Sequence, residues 1–155
     1  MQLTKTHLAL AGLCSTALAL PGQPTTPNSK KPTGGPAIAT VTIYSGPYTC
    51  AAANSPPPTD GSAGTATPVS VTENQCIIVT IPFAGAFTAT MTQSPKTGTT
   101  ACYIQLFTQS GCGLTLQNQY HGFPFDGVTY TAPQSTVGCA NPPVQSYGAL
   151  QIVCA

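Results

Sequence analysis

The sequence predicts an all-β protein: a small disulfide-stabilised antiparallel sandwich or barrel built from two pseudo-repeated Greek-key-like halves. Apolar residues alternate with polar ones in several short stretches, as in a half-buried strand. Thr is abundant, whereas long runs of Ala, Leu, Glu and Lys are absent after residue 19. The cysteines that follow that residue are even in number, which is typical of a disulfide framework.

The composition excludes several other classes of protein. The chain has 155 residues, of which only 5% are charged, and its formal net charge is +1. Because so few cations cannot neutralise a phosphate backbone, no nucleic-acid binding is expected. Pro and Gly interrupt the chain, and no apolar run reaches the roughly 18 residues of a spanning helix, so no membrane span is expected.

The N-terminal part of the chain predicts export. Residues 1–19 combine a basic residue, an apolar stretch and small residues, which is the pattern of a signal peptide cleaved after Ala19. Residues 20–37 are rich in Pro and Thr and have almost nothing to bury, so they predict a disordered leader. Residues 38–155 then form a single cysteine-rich all-β domain. The protein is therefore predicted to be secreted and extracellular.

Two pseudo-repeats, residues 39–92 and 102–155, divide this domain at an offset of 63 residues. The offset places Cys76 over Cys139, and the preceding cysteines of the two halves match with a slip of one residue. The alternative explanation is that β-rich sequence matches itself loosely.

Strand-like stretches follow one another along each half. Residues 76–81 are apolar on both faces and predict a central strand, whereas Asp126-Gly127 is a hairpin signal before a short strand. The predicted strands cover residues 41–45, 69–71, 76–81, 87–92, 104–108, 128–130 and 150–154.

The repeat also constrains the disulfides, which six cysteines alone leave open. Cys50 and Cys76 in the first half occupy the places of Cys112 and Cys139 in the second. Each half is therefore expected to close its own loop, with Cys50 bonded to Cys76 and Cys112 bonded to Cys139.

The third disulfide is expected between Cys102 and Cys154. Their counterparts in the first half are Ala39 and Met91, so these two cysteines occur together in one half and are missing together from the other. Each loop closed in this way would contribute on the order of 3 to 4 kcal/mol of stability.

A family resemblance rests on the opening and closing stretches of the halves. Residues 41–44 before Cys50, residues 103–108 before Cys112, and the closing stretch 146–154 resemble fungal small secreted cysteine-rich proteins, a group with many candidate effectors. The pattern is also similar to βγ-crystallin Greek-key repeats, but Cys replaces their characteristic Phe and the calcium-ligand pattern is missing. The resemblance implies the two-halved architecture and no calcium site.

Acid–base groups are few in the predicted mature domain. They are Asp60, Glu73, His121 and Asp126, and they lie in different segments. We therefore predict no catalytic residues, and a small secreted hydrolase is only the third hypothesis. With one His and no Cys-x-x-Cys, no metal site or cofactor is expected.

One segment, residues 120–130, is a candidate binding loop. A projecting Asp-Gly turn would expose Tyr120, Phe123 and Phe125 for aromatic contacts, and His121 beside Asp126 would titrate in a mildly acidic space. The favoured alternative has both Phe side chains pointing into the core, which has few other large apolar residues.

Together these observations predict a secreted non-enzymatic binding protein, effector-like or cell-wall-associated, that acts through surface loops. Its partner would be an extracellular or host protein, or a cell-wall glycan. The alternative is a secreted inhibitor or toxin that blocks an extracellular enzyme or target. The absence of Trp weakens sugar binding, for which Tyr44, Tyr48 and Tyr147 remain as stacking candidates.

Overall fold

The protein is all-β, as predicted. The computed structural model describes residues 33–52, 55–142 and 146–155, so the predicted signal peptide and most of the leader lie outside the described residues. Eight strands form two four-stranded antiparallel sheets. The strands are β1 (Ile38–Tyr44), β2 (Ala66–Thr72), β3 (Ile77–Ile81), β4 (Ala86–Gln93), β5 (Cys102–Phe107), β6 (Tyr120–Pro124), β7 (Thr136–Ala140) and β8 (Tyr147–Cys154).

Each half of the chain contributes three strands to one sheet and its third strand to the other. Sheet A has the order β2-β1-β4-β7, and sheet B has the order β3-β8-β5-β6. The exchanged strands are β3 and β7, and each pairs with the last strand of the other half. The two halves therefore cannot separate without breaking strand pairs in both sheets.

The registers within the two sheets correspond at the offset found in the sequence. Thr42 of β1 lies opposite Thr88 of β4 in sheet A. Gln105 of β5 lies opposite Gln151 of β8 in sheet B, and each position is 63 residues further on. The first and last strands of both halves are thus paired in the same way.

The exchanged strands obey the same correspondence. Phe87 of β4 lies opposite Ala140 of β7. Leu150 of β8 lies opposite Ile77 of β3, which is the pair obtained by moving one partner forward and the other back by the offset. The structure thus contains two topologically equivalent halves.

The core lies between the sheets and follows the period of two in the strands. In β1, Ala39, Val41 and Ile43 are buried and alternate with half-buried neighbours, because successive side chains point to opposite faces of a sheet. Burial of these side chains supplies the main favourable term in folding. The largest fully buried side chains are Tyr147, Phe87, Phe107, Ile81, Met91, Ile104, Leu106, Leu150 and Ile152.

Two of the predicted disulfide pairings are wrong. The structure joins Cys50 to Cys139 and Cys76 to Cys112, so both bonds cross between the halves. The reason is the strand exchange: Cys139 lies in β7, which belongs to the sheet of the first half, and Cys76 immediately precedes β3, which belongs to the other sheet. The two bonds occupy equivalent places, and each fastens an exchanged strand to its host sheet.

The third predicted disulfide is confirmed. Cys102 and Cys154 are bonded and lie directly opposite each other in β5 and β8. Their counterparts, Ala39 and Met91, face each other in the same way in sheet A. All six cysteines among the described residues are therefore oxidised, which is compatible with an extracellular protein.

Two strand predictions need correction. β3 is an edge strand rather than a central one, and 61% of Ile78 is exposed on it. Residues 128–130 form bends instead of a strand: Val128 is 93% exposed and Tyr130 has a positive φ of 41°. The hairpin signal at Asp126-Gly127 marks the end of β6, which the sequence analysis did not predict as a strand.

Candidate functional site

The candidate binding loop is in fact β6, an edge strand of sheet B, followed by a turn. Alternation along the strand separates the predicted residues between two faces. Phe123 packs edge-on against Phe87, with ring centroids 4.9 Å apart, and Phe125 is buried. The two Phe side chains thus belong to the core, as the favoured alternative expects, whereas Tyr120 is 42% exposed on the outer face.

The remaining predicted residues do not converge. His121 is half-buried, and its Nδ1 lies 2.7 Å from the hydroxyl of Tyr147, with donor and acceptor set by the His tautomer. Burial raises the pKa of Tyr147 above its ordinary value. Asp126 is exposed beyond the far end of β6, where its backbone N–H donates to Thr136 of β7.

The other carboxylates serve local structure. Glu73 accepts a 2.8 Å hydrogen bond from the backbone N–H of Ala37, next to the point where the end of β2 meets β8. Asp60 accepts from Ser62 in an exposed turn, and this hydrogen bonding lowers the pKa of its carboxyl group. Within the described parts of the chain, no three His, Cys, Asp or Glu side chains are grouped to hold a metal ion.

A cleft on the outer face of sheet B, which the sequence analysis did not predict, is a better candidate site. It encloses about 330 Å³, within the size range of small-ligand pockets. Tyr103, which is 40% exposed, and Tyr120 stand on its rim. Its lining residues are Tyr103, Gln105, Tyr120, Gly122, Val153 and Ala155.

The cleft exists because a glycine lies between the two tyrosines. Gly122 of β6 is opposite Gln105 of β5, so the floor has no side chain at that point. A Cβ placed on Gly122 would lie 3.9 Å from Cε2 of Tyr120, which shows that the Tyr120 ring leans toward the gap. The amide of Gln151 donates a 2.8 Å hydrogen bond to Oε1 of Gln105. This pairing orients both amides at the cleft.

The aromatic candidates named from the sequence are buried or half-buried instead. Tyr147 is in the main core, and Tyr44 belongs to a second small cluster with Ala63, Ala86 and Cys139. Tyr48 packs against that second cluster. The sequence contained one signal for the cleft that was not used: Tyr103 lies on the opposite face of β5 from the buried Cys102 and Ile104.

No protein-family model, curated protein or solved structure matches this chain. None of the described residues forms a helix long and apolar enough to cross a membrane. The candidate site is therefore defined by its own geometry.

Proposed function

We propose that the protein is an extracellular, non-catalytic binding protein that holds a neutral polysaccharide in the cleft on the outer face of sheet B. The observation that carries this proposal is the pair of exposed tyrosines, Tyr103 and Tyr120, on either side of the gap at Gly122. A protein of this kind fits the cell-wall-associated or effector-like role that the family resemblance implies.

Uncharged lining residues support a neutral ligand. No acidic or basic side chain lines the cleft, whose polar atoms come from the two tyrosine hydroxyls and the amide of Gln105, with Gln151 beside it. Because Gln151 uses an amide N–H to hold Gln105, the amide N–H groups of Gln105 and the carbonyl of Gln151 face the ligand as donor and acceptor. Hydroxyl groups of a sugar match both.

The spacing of the tyrosines supports a polymer over a single sugar. Tyr103 lies opposite Pro124, four residues along β6 from Tyr120, so the two backbone positions are about 13 Å apart along the strand direction. Aromatic rings offer a flat apolar surface with a polar edge, suited to the apolar faces of sugar rings. Two such rings at this separation contact different units of one chain.

The experiment is equilibrium binding of the secreted domain to soluble β-glucan, xylan, mannan and chito-oligosaccharide, with heparin as the anionic control. We expect binding to at least one neutral glycan and none to heparin. Tyr103→Ala and Tyr120→Ala should each weaken binding roughly tenfold. Gly122→Ile should abolish it by filling the floor, at a position where a side chain meets only ordinary contacts.

Matched controls separate a role of the cleft from damage to the fold. Tyr103→Phe keeps the ring and should retain most of the affinity, and Val128→Ala alters an exposed residue elsewhere. Failure of every neutral glycan to bind would overturn the proposal. So would binding that persists in the Tyr103→Ala, Tyr120→Ala double variant.

A further inference from the structure

The loop between β5 and β6, residues 108–119, exposes two leucines. Leu114 is 65% exposed and Leu116 is 89% exposed, in a domain with few large apolar residues. An adjacent pair of exposed leucines on a small extracellular domain suggests a binding role rather than a structural one. The loop has no charged side chain.

Hydrogen bonds from one buried side chain hold this loop. Asn118 is 7% exposed, and its Nδ2 donates to the carbonyls of Gly111 and Gly113 at 2.9 and 2.8 Å. Its Oδ1 accepts from Gln109 N–H at 2.8 Å. The backbone of Asn118 also donates to Oγ1 of Thr115 and accepts from its N–H. A single residue thus binds the chain on both sides of Leu114.

The base of the loop is fastened covalently and by strand-like bonds. Cys112, two residues before Leu114, is bonded to Cys76 at the start of β3. Thr108 and Gln119 exchange two hydrogen bonds across the base. Gly148 of β8 packs directly beneath, since a Cβ there would lie 2.8 Å from the loop backbone. The loop therefore loses little conformational entropy when it binds.

We propose that residues 112–116 form a substrate-like inhibitory loop for serine proteases with an apolar S1 pocket, and that Leu114 enters that pocket. Such proteases bind an extended segment and select the side chain before the scissile bond. Leu114 is the better candidate because Asn118 holds both of its neighbours, whereas Leu116 lines a separate depression beside His121. This surface is distinct from the tyrosine cleft.

The same contacts explain how the loop would resist cleavage. Attack of the protease serine on the Leu114 carbonyl forms an ester and releases the Thr115 amine, to which the serine proton passes through the protease histidine. Because Asn118 bonds both Thr115 and Gly113, the amine stays beside the ester. The amine re-attacks, the peptide bond re-forms and the serine regains its proton, so no net hydrolysis occurs.

The test measures inhibition of chymotrypsin and subtilisin, with trypsin as a third protease. We expect the protein to inhibit at least one of the first two and to remain largely intact. Leu114→Gly should raise the inhibition constant at least about 30-fold, the loss expected for a central anchor residue. Leu114→Arg should transfer inhibition to trypsin, whose S1 pocket carries a carboxylate.

Further variants identify the cause of any change. Val128→Gly, at a residue 93% exposed in another loop, should leave inhibition unchanged. Asn118→Ala should convert the protein into a substrate cleaved after Leu114, which a merely apolar patch would not do. Tyr103→Ala with Tyr120→Ala should inhibit fully, so that failure of glycan binding and failure of inhibition are independent results.

Three results would overturn this inference. One is that neither chymotrypsin nor subtilisin is inhibited. A second is that the wild-type loop is cleaved at the rate of a flexible peptide. The third is that the protein binds vesicles of neutral phosphatidylcholine and loses that binding with Leu114→Gly, which would assign the leucines to a membrane surface.

Discussion

The outer faces of the two sheets occupy equivalent places in the fold but carry different chemistry. Sheet A presents four threonines, and sheet B presents the residues of the tyrosine cleft at the positions 63 residues further on. The corresponding pairs are Thr40 and Tyr103, Thr42 and Gln105, Thr88 and Gln151, and Thr90 and Val153. Short β-branched side chains suit a sheet surface and need no ligand. The comparison teaches that the shared scaffold leaves its outward positions free to diverge, and that the specialised face is the one on sheet B.

The largest expected effect concerns the bonds that both halves share. Replacing Cys50 and Cys139 with Ala removes the closure with the greatest sequence separation, 89 residues, and should lower the free energy of unfolding by about 4 to 5 kcal/mol. The equivalent change at Cys76 and Cys112, separated by 36, should cost somewhat less. Urea denaturation measures both, and equal or reversed effects would show that chain closure does not set their contributions.

Core truncations at equivalent positions come next. Leu106→Ala in β5 should cost about 3 kcal/mol, because the side chain is fully buried and leaves a cavity. Ile43→Ala in β1 is its counterpart and should cost a similar amount. Thermal unfolding compares the two. A much smaller loss at one position would mean that the halves do not support the core equally.

Binding separates the faces more sharply than stability does. Tyr103→Ala should weaken glycan binding roughly tenfold, whereas Thr40→Ala at the matched position of sheet A should leave it unchanged. Both residues are at least partly accessible, so neither substitution removes a core contact. Equal losses from the two variants would contradict the assignment of binding to sheet B.

The smallest expected effect is on the pH dependence of stability. Burial raises the pKa of Tyr147 in the folded state, so the folded protein holds this proton more tightly than the unfolded chain does. The resulting stability is complete below about pH 10, the ordinary tyrosine value, and is lost as the pH rises through the folded pKa. Denaturant titrations from pH 8 to 11 should show this loss. Tyr147→Phe should reduce the slope, although it also removes the hydrogen bond to His121.

The sequence predicted the fold class and the equivalence of the halves because alternation and cysteine spacing are local signals. It did not predict the strand exchange, since nothing within residues 76–81 shows which sheet that strand joins. The intra-half pairing of Cys50 with Cys76 failed for that reason. β7 was also missed, because its stretch Thr136–Ala140 contains Gly and is too short to show a clear period.

The candidate site was less predictable than the fold. Tyr120 was identified as a binding residue, but its partner Tyr103 comes from β5, and only the register of two strands brings them to one cleft. The aromatic segment around Phe123 looked functional because its residues are large, yet they are large in order to fill the core. Loop rigidity around Asn118 was invisible for the same reason: its hydrogen bonds depend on the folded path of the chain.

The most direct test of the central claim is a backbone amide NMR titration of the secreted domain with soluble neutral glycans, each added in turn. The account predicts that at least one glycan shifts the amide signals of Gln105, Gly122 and Gln151, while those of Thr40 and Thr90 remain in place. Shifts confined to sheet A, or no shifts with any neutral glycan, would contradict it.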